Sequence, residues 1–543
     1  MDPKQRANFT RRQFIQTFAA ASALGSLGFH PLSWGAAADS WDEGQLKHII
    51  PAANHERFLI KTSFKQALGF TPRLMVDGKP VSGIKTDIAG RFWRFDASTL
   101  KPDTRYELQI TDPAGKALCG TWPLKTFPAP DARPEHLRIL SYTCGGGYDS
   151  APLHGKTTFL DMAVRKRLLA RGMSHAPDIV IANGDHIYWD LTTTFAKVAP
   201  DYMKKEMWGK FGELDISVPM MHPKNAETFM KVCDYQIAGL YGTTLRSTPA
   251  YFPTDDHDLF ENDEYDAINV TLPTDTYGLL GAEQTQQLYY PEYLPDANRP
   301  VWLPGGDRAG MAPDTNMTFG TLRYGSLLEA VMYDCRRYVN YKGDHAQVIP
   351  QWVEDWLIKR TVTEDTSHFL HVPSLPFAYS SGKLGDWYPD LLDAKSGKMV
   401  LYEEKPGWQR GWFGQHQRLI SAIASQEKRA PAIIQGDFHA SSAGRIHRSG
   451  ELHLPRSVDV VLTGTLGTGD LVFPSSFRAV ESKPSQLIGM EEALKITEKN
   501  GFSIIDITPD KMTFTMYMYR PPQDAAEIDT MKPAFVYEIA RKA

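Results

Sequence analysis

The spacing of apolar and polar positions divides the chain into an all-β segment and a longer segment in which strands and helices alternate. Between about Gln45 and Thr126, short stretches alternate apolar and polar residues, such as FWRFD at 92–96, and turn residues such as Asp77-Gly78 separate them. A period of two with Asp-Gly turns is typical of strands joined by hairpins. Many short strands in one short segment predict a small β-sandwich.

The pattern changes after a proline-rich linker at 127–134 (FPAPDARP). Short apolar runs then predict strands at Arg138 to Tyr142, Asp178 to Ala182, Glu329 to Tyr333, His368 to Val372, Ala432 to Gln435, Val458 to Leu462, Phe502 to Ile507 and Met512 to Tyr519. Apolar residues at helical spacing predict helices from Phe159 to Arg171, Gln351 to Arg360 and Gln415 to Gln426. Strands and helices that alternate in this way predict an α/β fold with a buried sheet and helices on its faces.

The N-terminal residues carry an export pattern. Residues 10–15 (TRRQFI) form a twin-arginine motif, a mildly apolar stretch follows, and Ala36-Ala37-Ala38 precede Asp39 as a small-residue cleavage site. This combination predicts a signal peptide, although a charged N-terminal helix is the alternative interpretation. We expect export by the twin-arginine translocase, localisation in the periplasm or outside the cell, and a division into a signal peptide at 1–38, a β-sandwich domain with its linker at 39–130, and the main α/β domain at 131–543.

Composition and charge exclude several classes of protein. The 543 residues include 59 lysines and arginines against 64 aspartates and glutamates, a formal charge of −5. A nucleic-acid-binding protein needs a basic face, so we expect no specific nucleic-acid partner. After residue 38 we find no apolar stretch long enough for a membrane span. The four cysteines, Cys119, Cys144, Cys233 and Cys335, match no zinc-finger spacing.

Four segments share one design, in which a strand ends and side chains of metal-ligand type follow at once. The segments contain Cys144; Asp185 with Tyr188; Asp255 to Asp258 followed by Asn262; and Asp437 with His439. Ligands of α/β sheets bind beyond the carboxyl ends of the strands, so these segments are expected to meet. Each alone also has a structural interpretation: a buried thiol, a helix cap, a polar turn or a hydrogen-bonded pair.

The types of side chain indicate which metals would bind. A thiolate, a phenolate and an imidazole suit a transition-metal ion, iron first. Carboxylates and an amide oxygen suit calcium, magnesium or manganese. Asp185 lies between the two groups in the sequence and could bridge both ions. Two metals about 3.5–4 Å apart are typical of phosphate-ester hydrolysis.

The ordered motifs resemble those of the PhoD-type alkaline phosphatases and phosphodiesterases, a branch of the calcineurin-like metallophosphoesterases. The motifs are Gly184-Asp185-x-x-Tyr188, Thr254-Asp255-Asp256-His257-Asp258 with Asn262-Asp263, and Gly436-Asp437-x-His439. Arg323-Tyr324-Gly325 and Asp334-Cys335-Arg336 fit the framework strands of that family. The resemblance implies a metallophosphoesterase-type β-sandwich flanked by helices, with an immunoglobulin- or fibronectin-III-like N-terminal domain. It also implies hydrolysis of phosphomonoesters or phosphodiesters by a metal-activated hydroxide.

The resemblance further implies a role for each site residue. Iron(III) would be held by Cys144, Asp185, Tyr188 and His439. Calcium, or another divalent ion, would be held by Asp185, Asn262 and Asp437. Asp255 and His257 would be catalytic residues near the leaving group or would support the ligands. No organic cofactor is implied.

Two departures from the family pattern keep a second function open. Tyr142-Thr143-Cys144-Gly145 stands where the family has Ala-Ser-Cys-Gln, and the late motif Asp-Ser-Trp-Asp-Gly-Tyr has no clean copy. The alternative is a non-catalytic periplasmic binding protein with a degenerate metal site. It predicts that no phosphate ester is hydrolysed even when iron and calcium are supplied.

Overall fold

The computed structural model describes residues 41–152, 155–189, 208–260, 276–306, 308, 310–382, 385–393, 395–405, 407–477 and 479–541. The predicted signal peptide at 1–38 and the predicted ligand Asn262 lie outside the described residues. The domain boundaries derived from the sequence stay a prediction.

The N-terminal segment forms two four-stranded antiparallel sheets, as its alternating pattern predicts. The strands are β1 (Leu46–Ala53), β2 (Phe58–Phe64), β3 (Arg73–Val76), β4 (Lys79–Ser82), β5 (Ile84–Lys85), β6 (Phe92–Ala97), β7 (Arg105–Thr111) and β8 (Trp122–Lys125). They are ordered β1-β2-β6-β5 and β4-β3-β7-β8. Asp77 and Gly78 join β3 to β4 with φ of 45° and 79°, the positive values that a tight hairpin turn requires. The likeness to an immunoglobulin or fibronectin III domain stays a prediction.

The main part of the chain is mixed α/β with two large sheets. The first contains β9 (Leu137–Tyr142), β10 (Ile179–Ala182), β11 (Ala250–Tyr251), β23 (Asn500–Ile507), β24 (Lys511–Tyr519) and β25 (Phe535–Ala540), in the order β11-β10-β9-β23-β24-β25. Strands β9, β10 and β11 are parallel, and the C-terminal strands pair antiparallel beside them.

The second large sheet contains β12 (Phe319–Tyr324), β13 (Leu328–Tyr333), β14 (His368–Pro373), β18 (Ala432–Gln435), β19 (Ser441–Ser449), β20 (Leu452–Thr463) and β22 (Ile488–Thr497). Its order is β12-β13-β14-β18-β20-β19-β22, and β13, β14, β18 and β20 run parallel. Two small ribbons pair β15 (Tyr379–Ser380) with β21 (Lys483–Pro484) and β16 (Leu391–Leu392) with β17 (Met399–Val400).

Helices pack on the outer faces of both large sheets and against the N-terminal sheets. They are α1 (Met162–Met173), α2 (Pro223–Cys233), α3 (Gly239–Tyr241), α4 (Thr276–Tyr289), α5 (Gln351–Thr363), α6 (Arg410–Ala424) and α7 (Pro474–Phe477). A π-helical turn spans Asp234–Ala238, and 3₁₀ turns span His257–Leu259, Gly343–His345 and Ala525–Thr530. Among the described residues, no helix is both long and apolar enough to cross a bilayer.

Alternate residues of each central strand face different layers. In β9, Ile139 belongs to the core between the two large sheets, whereas Leu140 packs outward with Leu168 of α1. In β18, Ile434 faces the same inner core and Ile433 packs outward with Leu419 of α6. Strands buried on both faces read as continuous apolar runs, which is why the sequence pattern located them.

The predicted elements are confirmed, with differences at their ends. Strand β20 begins at Leu452 rather than Val458, because its first residues alternate between exposed and half-buried positions and lack the apolar run of the buried part. Helix α6 begins at Arg410 rather than Gln415. The single sheet predicted by strand–helix alternation is two stacked sheets, because the C-terminal strands complete the first sheet and the later βα units build the second.

Candidate metal centre

The four segments predicted from the sequence meet at one edge of the stacked sheets. Strands β9, β10 and β11 are parallel neighbours in one sheet, and β14 and β18 are parallel neighbours in the other. Their carboxyl ends lead into the loops that carry Cys144, Asp185, Asp255 and Asp437. Asn183 Nδ2 joins the two sheets at this edge by donating to the Pro373 carbonyl at 3.0 Å.

Three of these residues share an unusual backbone conformation. Cys144, Asp185 and Asp437 have φ of 50°, 55° and 66°, in the left-handed region that non-glycine residues seldom adopt. Each lies two or three residues after its strand ends, so the turn directs the side chain into the space beyond the sheet edge. Gly184 precedes Asp185 at φ 87°, and a Cβ there would meet the Asp255 Cβ at 2.7 Å. Strained backbone of this kind concentrates at functional sites.

The first cluster of candidate ligands surrounds Asp185. Asp185 Oδ2 lies 3.3 Å from Cys144 Sγ, 3.0 Å from the Tyr188 hydroxyl and 3.8 Å from His439 Nε2. The ligand atoms of Cys144, Asp185 and His439 all lie within 4.8 Å of one another. His439 Nδ1 lies 3.1 Å from the Val472 carbonyl, which fixes the ring with Nε2 toward the cluster. The structure therefore brings together the four residues for which the sequence predicted iron.

The second cluster shares Asp185 with the first. Its other members are Asp255, Asp256 and Asp437, again with carboxylate oxygens within 4.8 Å of one another. Asp185, Asp256 and His257 form a third combination with the same spacing. Asp185 belongs to every combination, so its carboxylate is common to both clusters; that it bridges two ions stays a prediction. Of the residues predicted to bind calcium, Asp185 and Asp437 are brought together here.

Arg336 neutralises part of the second cluster. Its Nε donates to Asp255 Oδ1 at 2.6 Å and its Nη2 donates to Asp437 Oδ2 at 3.0 Å, with the arginine side chain 1% exposed. Asp334 accepts from the Arg336 amide at 2.8 Å and from the Thr254 hydroxyl at 2.6 Å, which holds the two loops together. From the sequence, Arg336 is predicted only as part of a framework strand. Its signal was available, because Arg336 follows the end of β13 as the other site residues follow their strands.

Asp258 supports the loop that carries Asp185. Its Oδ2 accepts from the amides of Asp185 and Asp255, and its Oδ1 accepts from the amides of His186 and Ile187, all between 2.9 and 3.2 Å. One buried carboxylate therefore satisfies four backbone donors of the site. In the sequence, Asp258 stands in the acidic motif, but no role for it is predicted there.

The two residues predicted to be catalytic lie in different positions. Asp255 is buried and held by Arg336, as described above. His257 is half-buried, and its ring lies 4.1 Å from the Tyr188 ring between centroids. His257 is therefore the more accessible of the two, and it contacts the phenol of the first cluster.

Burial raises the pKa of three acidic groups in the centre. Burial and then the nearby Asp185 carboxylate raise the pKa of the Cys144 thiol far above its ordinary value. The same two causes, with Cys144 next, raise the pKa of the Tyr188 phenol. Burial also raises the pKa of Asp255, with Arg336 opposing and the neighbouring carboxylates adding to the rise. A nearby cation would favour the ionised form of each group.

The donor set fits bound metal ions. Buried carboxylates in contact are unfavourable unless a cation or protons neutralise them. Asp255 Oδ2 and Asn183 Oδ1 are buried and have no hydrogen-bond partner among the described residues. Sulfur, phenol and imidazole donors on one side and carboxylates on the other match a transition-metal ion and a hard divalent ion.

Comparison with known proteins identifies the fold. No family model and no curated protein matches the sequence. A solved structure described as that of PhoD is similar, with 14% identity, a TM-score of 0.58, and coverage of 93% of this chain and 92% of that chain. The chain has the fold of PhoD.

A second solved structure is also similar to this chain. It is the purple acid phosphatase PPD1 from seeds of yellow lupin (Lupinus luteus), with 11% identity and coverage of 91% of this chain and 74% of that chain. Its TM-score of 0.48 is too low to carry an argument. At the identity found with PhoD the likeness shows the fold alone, because one fold hosts many functions.

Proposed function

We propose that the protein is an exported, metal-dependent phosphoesterase that hydrolyses phosphomonoesters or phosphodiesters. The observation that carries the proposal is the pair of ligand clusters that share Asp185 at the edge of two stacked sheets. A pair of metal ions a few ångströms apart serves many phosphatases and nucleases as a clamp on the phosphate group. The PhoD fold supports the same conclusion.

The two clusters suit two different ions. Cys144, Tyr188 and His439 would hold iron(III) together with Asp185. Asp437 and Asn262 would hold calcium, or another divalent ion, with Asp185 as the shared ligand. When bound, the ions supply Lewis-acid activation of water and neutralise charge on the phosphate group.

Side chains of the protein would supply the proton for the leaving oxygen and offset the remaining negative charge of the centre. Hydrolysis joins a water oxygen to phosphorus and breaks the bond to the leaving oxygen, which then needs a proton. We assign that proton to His257, because it is a half-buried histidine beside the cluster that is not one of the proposed ligands. Asp255 holds Arg336 beside Asp437, where the guanidinium offsets part of the negative charge of the two carboxylates.

We further propose that the chain is exported by the twin-arginine translocase after folding. The motif at Arg11 and Arg12 and the alanines before Asp39 support this. Such export suits a protein that acquires its metals in the cytoplasm. The mature protein is expected to begin at Asp39, and replacement of both arginines by lysine is expected to retain it in the cytoplasm. N-terminal sequencing and cell fractionation check both expectations.

The deciding experiment measures metal content and hydrolysis in the same preparation. The mature protein is purified from the periplasm, its iron and calcium are quantified, and turnover of para-nitrophenyl phosphate and bis-para-nitrophenyl phosphate is assayed. Iron with a divalent ion and turnover of either ester support the proposal. The preferred ester distinguishes a monoesterase from a diesterase. Bound metal without turnover of either ester contradicts the catalytic assignment and favours the binding protein.

A further inference from the structure

A π-helical turn lies behind the loops that carry the first cluster. It spans Asp234–Ala238 between α2 and α3, and Gln236 lies at its centre, 1% exposed. π-helical turns are rare and frequently occur at functional sites. The proposed mechanism assigns no role to this turn.

Gln236 joins two loops of the centre through one side-chain amide. Its Oε1 accepts from the amides of Gly147 at 2.7 Å and Tyr188 at 2.9 Å. Its Nε2 donates to the Tyr188 carbonyl at 3.0 Å. Both lone pairs of the amide oxygen are therefore used, and Tyr188 is held by its N–H and its C=O at once.

The loop on the other side of Gln236 needs such support. Cys144 is followed by three glycines, which have no side chains to fix their backbone. Arg165 of α1, fully buried, donates to the carbonyls of Gly147 at 2.9 Å and Gly145 at 3.4 Å. Gln236 accepts from the Gly147 amide, so the loop is held through both its donors and its acceptors.

Asp234 connects the same turn to the N-terminal sheets. Its carboxylate accepts from Lys47 Nζ of β1 at 2.7 Å, from Arg91 just before β6, and from the Tyr289 hydroxyl of α4 at 2.8 Å. Burial would raise the pKa of Asp234, but the hydrogen bonds from Lys47 and Arg91 outweigh it and hold the pKa below its ordinary value. One residue, Tyr235, separates Asp234 from Gln236.

We propose that Gln236 is a positioning residue for Tyr188, and that the N-terminal sheets hold Gln236 in place through Asp234. The proposal rests on the function given above, since Tyr188 is the ligand whose position matters. Without the amide, the backbone of Tyr188 loses two hydrogen bonds and its phenol loses its fixed distance from Asp185. Metal at the first cluster would then be held less tightly.

The test compares Gln236→Leu with a matched control, Gln415→Leu. Gln415 is also buried, its Oε1 accepts from the amides of Val348 and Ile349, and its Nε2 donates to the Ile349 carbonyl. It thus makes the same kind of amide clamp on a different segment. Gln415 Nε2 also donates to Glu354 Oε2 at 2.9 Å, so the control loses one hydrogen bond more than Gln236→Leu does. A larger change at the centre in Gln236→Leu than in the control therefore reports on the position of Tyr188.

Two measurements on the full-length protein distinguish the variants. In metal-free protein, amide hydrogen exchange at Gly147 and Tyr188 is expected to rise at least tenfold in Gln236→Leu and to stay unchanged in Gln415→Leu. In iron-loaded protein, release of iron(III) to a chelator is expected to become about 10- to 100-fold faster in Gln236→Leu alone, the range for loss of an outer partner of a metal ligand. Arg91→Met, which removes one bond to Asp234, is expected to raise the same exchange by less.

Equal exchange and equal iron release in the two leucine variants overturn the proposal. If Gln236→Leu does not fold, Gln236→Glu replaces it, because the carboxylate keeps the acceptor for both amides but cannot donate to the Tyr188 carbonyl. Its iron release is expected to lie between that of the wild type and the tenfold limit, and wild-type exchange and release would contradict the proposal. If the wild type binds no iron and hydrolyses no ester, the proposed function fails, while exchange in the metal-free protein still decides whether Gln236 holds the loops.

Discussion

The two halves of the candidate centre share Asp185 but balance their charge in different ways. In the half formed by Cys144, Tyr188 and His439, no hydrogen bond or ion pair from a lysine or arginine reaches these three residues within the described part of the chain. In the half formed by Asp255 and Asp437, Arg336 pairs with both carboxylates. The half with Cys144 therefore needs bound protons or a metal ion to be electrically neutral. The half with Asp437 has the positive charge of Arg336.

This difference indicates how each half would respond to metal. The thiol and the phenol of the first half are held neutral by burial and by Asp185, so a metal ion must displace their protons. The second half is partly neutralised by Arg336 before any ion binds. We expect the types of ligand to determine which ion binds in the first half. In the second half, we expect metal affinity to depend on the positive charge of Arg336.

The largest effect is expected where the halves meet. Asp185→Asn removes the charge of the shared ligand, so both ions should be lost and activity should fall by more than the roughly 100-fold that an outer partner of a ligand is worth. Metal analysis and ester turnover measure this. Asp390→Asn is the control, because Asp390 is buried and bonds Ser485 and Gln486 outside the centre. Retention of both metals by Asp185→Asn would contradict the shared position.

Removal of the internal cation tests the second half alone. Arg336→Met leaves Asp255 and Asp437 without their buried partner, so the metal-free protein should lose about 3–5 kcal/mol of unfolding free energy. Added calcium should restore much of this loss. Lys61→Met breaks another buried ion pair, in which Lys61 Nζ lies 2.9 Å from Glu292 Oε1, remote from the centre. Calcium should not rescue that control, and equal rescue of both variants would refute the special role of Arg336.

A change confined to the first half should have a smaller effect. Tyr188→Phe removes one proposed ligand and keeps Asp185, so iron affinity should fall by at least the roughly 100-fold that loss of an outer partner of a ligand can cost. The colour of an iron–phenolate bond should disappear, while calcium content stays near that of the wild type. Tyr241→Phe removes another buried hydroxyl, bonded to Tyr142 at 3.2 Å, and should keep the colour. A coloured Tyr188→Phe protein would exclude Tyr188 as a ligand.

The smallest expected effect is a loss of folding stability at acid pH. This loss sets the lowest pH at which metal binding by the two halves can be compared. Burial lowers the pKa of His371 and of His416 to about 3. An unfolded histidine titrates near 6.5, so below that pH the unfolded state binds more protons and stability falls until about pH 3. Each histidine should cost about 1.4 kcal/mol per pH unit in this window.

Urea unfolding of metal-free protein at pH 7, 6 and 5 measures the slope. His371→Gln should reduce the slope of unfolding free energy against pH by the contribution of one histidine, about 1.4 kcal/mol per pH unit. A slope that is unchanged by this substitution would mean that other groups cause the acid loss of stability. Acid loss of metal from either half can then be separated from acid unfolding.

The local pattern of apolar residues predicted most of the strands and helices. Strand β18 begins and ends where its apolar run does, and β9, β10 and β14 differ from their predictions by one residue at an end. Strands buried on both faces leave an unbroken apolar run, which one sequence is enough to reveal. The start of β20 was missed because polar residues occupy its exposed positions. The stacking of two sheets could not be read from strand–helix alternation, because one large sheet would produce the same pattern.

The sequence by itself determined which residue types stand at the strand ends. Asp185 and Tyr188 follow β10, and Asp437 and His439 follow β18, whatever the rest of the chain does. Only the tertiary structure decided that Arg336 pairs with Asp255 and Asp437 and that Gln236 holds Tyr188. These contacts join residues 48 to 101 positions apart. Such pairs are set by how the sheets stack and the loops approach, which no local spacing encodes.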